Sequence, residues 1–317
     1  MKHLNTNPVV LVAAQDYDVN LVRVNESAIA QLTRPDDLQT LGESLADSPL
    51  ARRPAAFIPY FIVMNVLNYQ FWDMDQTSTF QRYSNNGLVG AMAMQQGMLE
   101  QWCAAIGGAE GACLETRVQI ERAVASLRAR IENEGVQFIL GDIPAAQSRK
   151  DLLLEVLDAG KLTAAAEYLH ARARDTAELG WGDAQLLAYL FPQCYGDRYL
   201  KKAQLTLMFI AAEMNAAKPA QRIRLDVTAA ADYQLPKVLR SLGILEYSEE
   251  LAILVDGQHL IEVDSLYERA IRAATVFACG LLAKHFGATI EEIDFWLWMN
   301  RNRAREAQFH LTFTTAY

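Results

Sequence analysis

The sequence predicts a mainly α-helical protein that folds as a single integrated helical domain over residues 1–317, with one small β-hairpin. Three observations support this prediction. Apolar residues recur at helical spacing along most of the chain, strand-like alternation is confined to short segments, and no fixed repeat or low-complexity linker divides the sequence. A chain of this length that is 51% hydrophobic can bury a large core in one body.

The N-terminal part of the chain is less regular than the rest. Residues 1–55 mix short apolar runs with turn-forming residues. Within them, residues 22–25 alternate like a strand, and Asn25 or Ser27 is suited to cap a short helix that follows. Residues 56–72 are almost continuously apolar, which predicts a buried helix at the centre of the fold, and the polar residues 73–86 predict a loop.

Amphipathic patterns predict a succession of helices through the remaining chain. The predicted helices are 88–106, 114–133, 148–159, 162–179, 183–191, 199–217, 232–242, 265–286 and 290–307. Residues 107–111 predict a turn. Residues 222–227 alternate like a strand, and residues 251–260 are the predicted partner in the hairpin.

The composition limits the classes of partner. Lys and Arg number 29 against 38 Asp and Glu, so the net charge of −9 provides no general field for a polyanion, and we expect a small ligand instead of a nucleic-acid polymer. The four cysteines and five histidines lack the spacing of a zinc site, and we expect neither a metal nor a cofactor. The apolar run at residues 9–14 is too short to span a membrane, so a cytoplasmic location without a membrane partner is predicted.

The segment from Ala229 to Leu239 contains the main candidate for chemistry, Asp232. An Asp that precedes a helix with Pro236 in its early turns is typical of a cap that accepts backbone N–H groups. A carboxylate held at the floor of a cavity can also orient water and stabilise a developing cation. The two roles are compatible, because capping hydrogen bonds keep the acid ionised.

Two further groups of residues are candidates for a site. Lys201 and Lys202 are adjacent on a predicted helix and point about a hundred degrees apart, so at most one of them naturally faces an interior site. The alternative is one solvated lysine and one whose stem lies along the apolar surface. Aromatic residues cluster at 68–72 and 294–298, where both core packing and stacking on a flat heterocycle remain open.

The order of these segments resembles that of the queuosine salvage proteins. The segments are Asn-Tyr-Gln-Phe-Trp at 68–72, Lys-Lys-Ala-Gln at 201–204, residues 231–248, residues 271–275 and Asp-Phe-Trp-Leu-Trp at 294–298. The most specific part is Asp-Tyr-x-x-Pro-x-Val-Leu at 232–239, and the resemblance extends from about residue 60 to the C-terminus. It implies a helical fold similar to that of DNA glycosylases.

The resemblance also implies an activity and a set of site residues. Proteins of this family are nucleosidases that release queuine, a 7-deazaguanine base, from queuosine or its 5′-phosphate. By resemblance, Asp232 is the catalytic carboxylate, and Lys201 is a catalytic lysine that assists the leaving base, keeps Asp232 ionised or binds a phosphate. The implied substrate-binding residues are Asn68, Phe71, Trp72, Tyr233, Asp294, Trp298 and His310.

Departures from the family pattern leave alternatives open. Leu311 and Phe313 stand where we expect arginines, so the exact base and the need for a 5′-phosphate are not fixed by the sequence. One alternative is a glycosylase acting on a modified base in tRNA or DNA, which the acidic net charge disfavours. The other is a non-catalytic deazapurine-binding protein of the same fold.

Overall fold

The computed structural model describes residues 7–39, 41, 45–74, 80–106, 117–218 and 220–317. Helices dominate these residues, which confirms the predicted mainly α fold. The single-domain organisation stays a prediction. The predicted turn at 107–111 lies outside the described residues.

The helices follow one another with short connections. They are α1 Pro8–Asp16, α2 Glu26–Gln31, α3 Pro54–Asn65, α4 Ala91–Ala105, α5 Arg117–Glu134, α6 Gln137–Leu140, α7 Ala146–Val156, α8 Ala159–Thr176, α9 Trp181–Leu190, α10 Pro192–Tyr195, α11 Lys201–Ala217, α12 Gln234–Ser241, α13 Glu249–Asp256, α14 Leu266–Phe286 and α15 Ile290–Asn300. Side-chain caps begin several of them: Ser265 accepts the N–H of Glu268 at the start of α14, and Thr289 and Glu292 form a capping box at α15.

The strands are short and pair two by two. They are β1 Val22–Val24, β2 Trp72–Met74, β3 Phe80–Arg82, β4 Ser84–Asn85, β5 Leu88–Val89, β6 Glu178–Gly180, β7 Arg224–Asp226 and β8 Leu245–Tyr247. Strands β1 and β8, β2 and β3, and β4 and β5 pair antiparallel, whereas β6 and β7 pair parallel.

The predicted hairpin is wrong in its partner strand. Strand β7 forms within residues 222–227 as predicted, but it pairs with β6. Most of residues 251–260 belong instead to α13, because Ser248 caps this segment and Leu251 and Val255, four residues apart, are both buried on one helical face.

Two predicted helices end earlier than the apolar pattern indicates. Helix α3 ends at Asn65 instead of residue 72, and α15 ends at Asn300 instead of residue 307. The predicted loop at 73–86 contains short strands in the part that the structure describes. In the first case, the backbone carbonyls that would continue the helix accept hydrogen bonds from buried side chains of other helices.

Two hydrophobic clusters form most of the core. The first surrounds α3, whose residues from Ala56 to Asn65 are all buried and which packs against α8 and α11. The second surrounds α14, which packs against α1, α12 and α15. Helices α11 and α12 begin where these clusters meet, and their first turns therefore lie at the centre of the molecule.

No single helix within the described ranges combines the length and apolar composition needed to cross a membrane. Helices α14 and α15 meet these criteria only as a pair, and they bend by 109° where they join.

Candidate functional site

Two adjoining cavities lie where the two clusters meet. The larger, which we call the polar chamber, measures about 620 Å³, and the smaller, the apolar chamber, about 330 Å³. Five residues line both: Asn68, Ala91, Lys201, Asp232 and Trp298. A groove of about 680 Å³ on the outer side of α12 and α15 is larger. However, it is more open, and its charged residues Arg240 and Asp256 pair with each other at 2.8 Å.

Asp232 is held at the junction of the chambers by the start of α12. Its Oδ1 accepts the backbone N–H groups of Gln234 at 2.7 Å and Leu235 at 3.1 Å. Its Oδ2 has no hydrogen bond to any residue that the structure describes. The capping role and a place on the cavity wall therefore coexist in one side chain, as the sequence allowed.

Lys201, the first residue of α11, reaches the same junction from the opposite side. The side chain is buried, and its Nζ donates to the backbone carbonyl of Asn68 at 3.0 Å. Burial lowers the pKa of Lys201, while the negative charges of Asp232 and Asp294 act in the opposite direction. An ammonium group thus faces two carboxylates across the boundary between the chambers.

Asp294 lies on the wall of the apolar chamber, within the first turns of α15. Its Oδ2 accepts the backbone N–H of Ala230 at 2.7 Å, and burial raises the pKa of Asp294 to about 7. Glu291, one turn earlier, lines the same chamber, and burial also raises its pKa. Apolar side chains form the rest of the wall: Leu41, Met92, Leu205, Met208, Phe209, Leu235, Phe295 and Met299.

The other predicted substrate-binding residues are placed as follows. Asn68, Phe71, Trp72, Tyr233 and Trp298 line the polar chamber, and Asn68 and Trp298 also line the apolar one. His310 lies outside both linings. It is buried behind the polar chamber, and its Nε2 is 3.1 Å from the hydroxyl of Tyr317, which does line that chamber.

The sequence analysis missed a group of cationic residues on the wall of the polar chamber. They are Arg82, Lys237, Arg301 and Arg305. Lys237 donates to the backbone carbonyl of Arg301 at 3.2 Å, and its pKa is lowered by burial and by the neighbouring charges of Arg82 and Arg301. The basic run at 301–305 was the signal in the sequence, but it was assigned to a continuing helix. These cations make the chamber suitable for an anionic group.

A buried arginine of α14 joins the two segments that carry Asp232 and Lys201. Arg272 donates from Nε to the carbonyl of Ala231 at 3.1 Å and from Nη2 to the carboxylate of Asp197 at 2.7 Å. Asp197 in turn accepts the backbone N–H of Lys201 at 2.7 Å. The resemblance quoted this part of α14, but only the structure indicates how Arg272 relates the two segments.

Comparisons with known proteins agree with this arrangement. Residues 197–317 match the family model described as queuosine salvage protein, which confirms the resemblance over that segment. The sequence analysis had placed the start of the resemblance near residue 60.

Two curated relatives are named queuosine 5′-phosphate N-glycosylase/hydrolase. The protein from Dictyostelium discoideum is 35% identical over 77 residues, which is 23% of this chain and 24% of the relative. The protein from Sphaerobacter thermophilus is 32% identical over 99 residues, which is 29% of this chain and 31% of the relative. The matched region therefore spans about a quarter to a third of each relative.

Proposed function

We propose that this chain is a nucleosidase that hydrolyses the N-glycosidic bond of queuosine 5′-phosphate or a closely related 7-deazaguanine nucleotide and releases the base. The observation that carries the proposal is the meeting of an apolar chamber and a cationic chamber at Asp232 and Lys201. A nucleotide has the same order of parts: a flat base, a sugar and an anionic phosphate. The names of the two relatives support the same substrate.

The apolar chamber suits the base. Its aromatic and aliphatic walls can contact both faces of a heterocycle. A guanine-like edge presents ring and amino N–H groups, and the ionised form of Asp294 is the natural acceptor for them. A base that lacked these donors would leave a buried carboxylate without partners, so the chamber favours guanine-type over adenine-type bases.

The polar chamber suits the 5′-phosphate. The pKa of Lys237 is lowered by burial and also by Arg82 and Arg301, so these like charges repel one another while no anion is bound. A phosphate would turn that repulsion into attraction, through charge-assisted hydrogen bonds. The guanidinium of Arg301 lies 3.5 Å above the ring of Trp298, which fixes its position beside the junction.

Asp232 is placed to act on the sugar. Breaking the C–N bond develops positive charge on the ribose, which a nearby carboxylate in an enclosed cleft stabilises. Oδ1 is occupied by the helix start, so Oδ2 faces the reacting centre and can aim the attacking water. A 7-deazapurine lacks the ring nitrogen at position 7, so its departure needs a donor elsewhere on the ring, and the Lys201 ammonium is the group in reach of the junction.

The test is release of free base from queuosine 5′-phosphate, followed by mass spectrometry without added metal or cofactor. We expect Asp232→Asn to lower the rate on the order of a hundredfold to a thousandfold, because a neutral amide cannot balance the developing charge. The amide oxygen can still accept the N–H groups of Gln234 and Leu235, so the fold should persist.

Asp158→Asn provides a matched control. Asp158 caps α8 by accepting the N–H of Lys161 at 3.1 Å, but it lines neither chamber. We expect this variant to retain the rate of the unaltered protein. Normal turnover by Asp232→Asn would remove Asp232 from the mechanism, and tight binding without product would assign the chain to a non-catalytic deazapurine-binding protein.

A small-molecule substrate agrees with the composition. The net charge of −9 provides no general attraction for tRNA or DNA, so the two nucleotide-sized chambers are the proposed site of recognition. The scattered cysteines favour a cytoplasmic location, which fractionation of the native source would test.

A further inference from the structure

The turn between α3 and β2 is held by a buried arginine from α7. The guanidinium of Arg149 donates to the carbonyl of Leu67, to that of Tyr69 at 2.7 Å and to that of Gln70 at 2.9 Å. Its Nε donates to the carbonyl of Pro144 at 2.8 Å, close to the start of α7. One side chain therefore fixes three backbone carbonyls within four residues.

The two carbonyls that remain in residues 66–70 accept from lysines at the start of α11. Lys201 donates to Asn68 at 3.0 Å, and Lys202 donates to Val66 at 3.2 Å. All five consecutive carbonyls of this segment, which we call the carbonyl loop, thus accept hydrogen bonds from buried cations. The carbonyl loop carries the wall of both chambers at Asn68.

The burial of Arg149 is energetically unfavourable unless the loop geometry compensates for it. No carboxylate forms an ion pair with Arg149 among the residues that the structure describes, and burial lowers its pKa to about 10. Its guanidinium lies 4.0 Å from the ring centre of Tyr69 and 5.4 Å from that of Phe71. An uncompensated cation in a core is expensive, so its use to hold one loop points to a role for the position of that loop.

The carbonyl loop in turn determines the position of Lys201. Asn68 lies between the three carbonyls that Arg149 holds, and its own carbonyl receives the Lys201 ammonium. Displacement of the loop would therefore move Nζ relative to Asp232. An error of about 1 Å in such a position is enough to slow an enzymatic reaction on the order of a hundredfold.

We propose that Arg149 is a positioning residue for hydrolysis at Asp232, acting through the carbonyl loop and Lys201. This inference rests on the proposed function. It also places a residue that supports the reaction in α7, outside the segment that matches the family model.

The test is a double-mutant cycle that combines Arg149→Lys with Lys201→Met. Single-turnover release of base from queuosine 5′-phosphate is measured well below the Tm of every variant. We expect Arg149→Lys alone to slow release on the order of a hundredfold. The double variant should be no more than about twofold slower than Lys201→Met alone, because residues that act through one group are non-additive. A purely structural role would instead multiply the two defects.

Arg128→Lys is the matched control. Arg128 also donates to backbone carbonyls, at 2.6 Å to Leu154 and 3.4 Å to Leu157, but it makes no hydrogen bond to the carbonyl loop. We expect it to change the rate by less than about twofold and to combine multiplicatively with Lys201→Met.

Three outcomes would overturn the proposal: unchanged release by Arg149→Lys, multiplicative defects in the cycle, or failure of both Arg149→Lys and Arg149→Gln to fold. Absence of turnover by the unaltered protein would count against the proposed function instead. In that case the same cycle is measured as binding of queuine, followed by fluorescence of Trp72 and Trp298. Non-additive loss of affinity would support the positioning role, and additive loss would refute it.

Discussion

At the level of single residues, two carboxylates of the site have different environments. Asp232 accepts two backbone N–H groups at a helix start and faces the sugar end of the site. Asp294 accepts one backbone N–H within apolar walls, and burial raises its pKa to about 7. We therefore expect Asp232 to provide a permanent negative charge, and Asp294 to gain or lose a proton near neutral pH, according to whether a base is bound.

This difference predicts a pH dependence for base binding. The free protein holds a proton on Asp294 below about pH 7, whereas a base that donates N–H groups requires the ionised form, so binding lowers the pKa. Affinity should be full above pH 7 and fall as pH decreases through 7, approaching tenfold per pH unit. Isothermal titration with queuine between about pH 5.5 and 8.5 measures the effect.

Asp294→Asn should weaken binding and flatten this profile, even though Glu291, whose pKa burial also raises, remains in the chamber. Glu292→Gln, in the same turn of α15 but outside both linings, should leave the profile unchanged. A flat profile in the unaltered protein would show that the base does not require ionised Asp294.

The sequence could predict only part of this site. Asp232 and Lys201 belong to local patterns that one segment contains in full, so their candidacy could be read directly. Arg82 and Arg301 become neighbours only when the chain folds, and their individual patterns resemble ordinary solvated charge. Arg149 was hidden for a similar reason, since its acceptors are backbone carbonyls, which no side-chain motif indicates.

At the level of secondary-structure elements, α14 connects the first turns of α11 and α12. Arg272 contacts Ala231, which precedes Asp232, and Asp197, which lies before α11. Glu268, one turn away on α14, also pairs with Arg272 at 3.3 Å. The guanidinium and both carboxylates are buried, so removal of the cation would leave two acids without their partner.

We therefore predict that Arg272→Met destabilises the protein by about 3–5 kcal/mol, the usual cost of breaking a buried ion pair. Urea unfolding provides the measurement. Arg240→Met is the comparison, because Arg240 pairs at 2.8 Å with Asp256, whose side chain is 52% exposed. That change should cost no more than about 1 kcal/mol. Similar losses in the two variants would contradict the structural role of Arg272.

Element prediction succeeded where the pattern of burial was local. Helix α14 was predicted within one residue, because its apolar face and the Ser265 cap lie in one continuous segment. The partner of β7 could not be found in this way, since β6 lies far away in the sequence and a parallel pair has no connecting turn to reveal it. The early end of α3 likewise depends on cations from α7 and α11.

At the level of the whole molecule, the site combines two parts of the chain. The family match covers residues 197–317, which contribute Asp232, Lys201 and Asp294. The opposite wall comes from residues 68–91, which lie outside the match. The reacting groups and one wall of the substrate pocket can therefore diverge separately, so the nature of the base substituent is best established by experiment on this chain.

The two chambers predict that both products of hydrolysis bind at the same time. Queuine should occupy the apolar chamber and ribose 5-phosphate the polar one, and each should raise the Tm. At a hundredfold excess over its Kd, each ligand contributes about 2.7 kcal/mol to the free energy of unfolding. Because the chambers meet without overlapping, the two increments should be close to additive in differential scanning fluorimetry.

Lys237→Gln separates the contributions of the two chambers. It should abolish most of the stabilisation by ribose 5-phosphate, because charge-assisted hydrogen bonds to phosphate are lost, while the increment from queuine persists. Arg303→Gln is the matched control: Arg303 is exposed, bonds Asn300 at 2.9 Å and lines neither chamber. Competition between the two products, or equal loss of both increments in Lys237→Gln, would mean that base and phosphate do not divide between the chambers as the charges indicate.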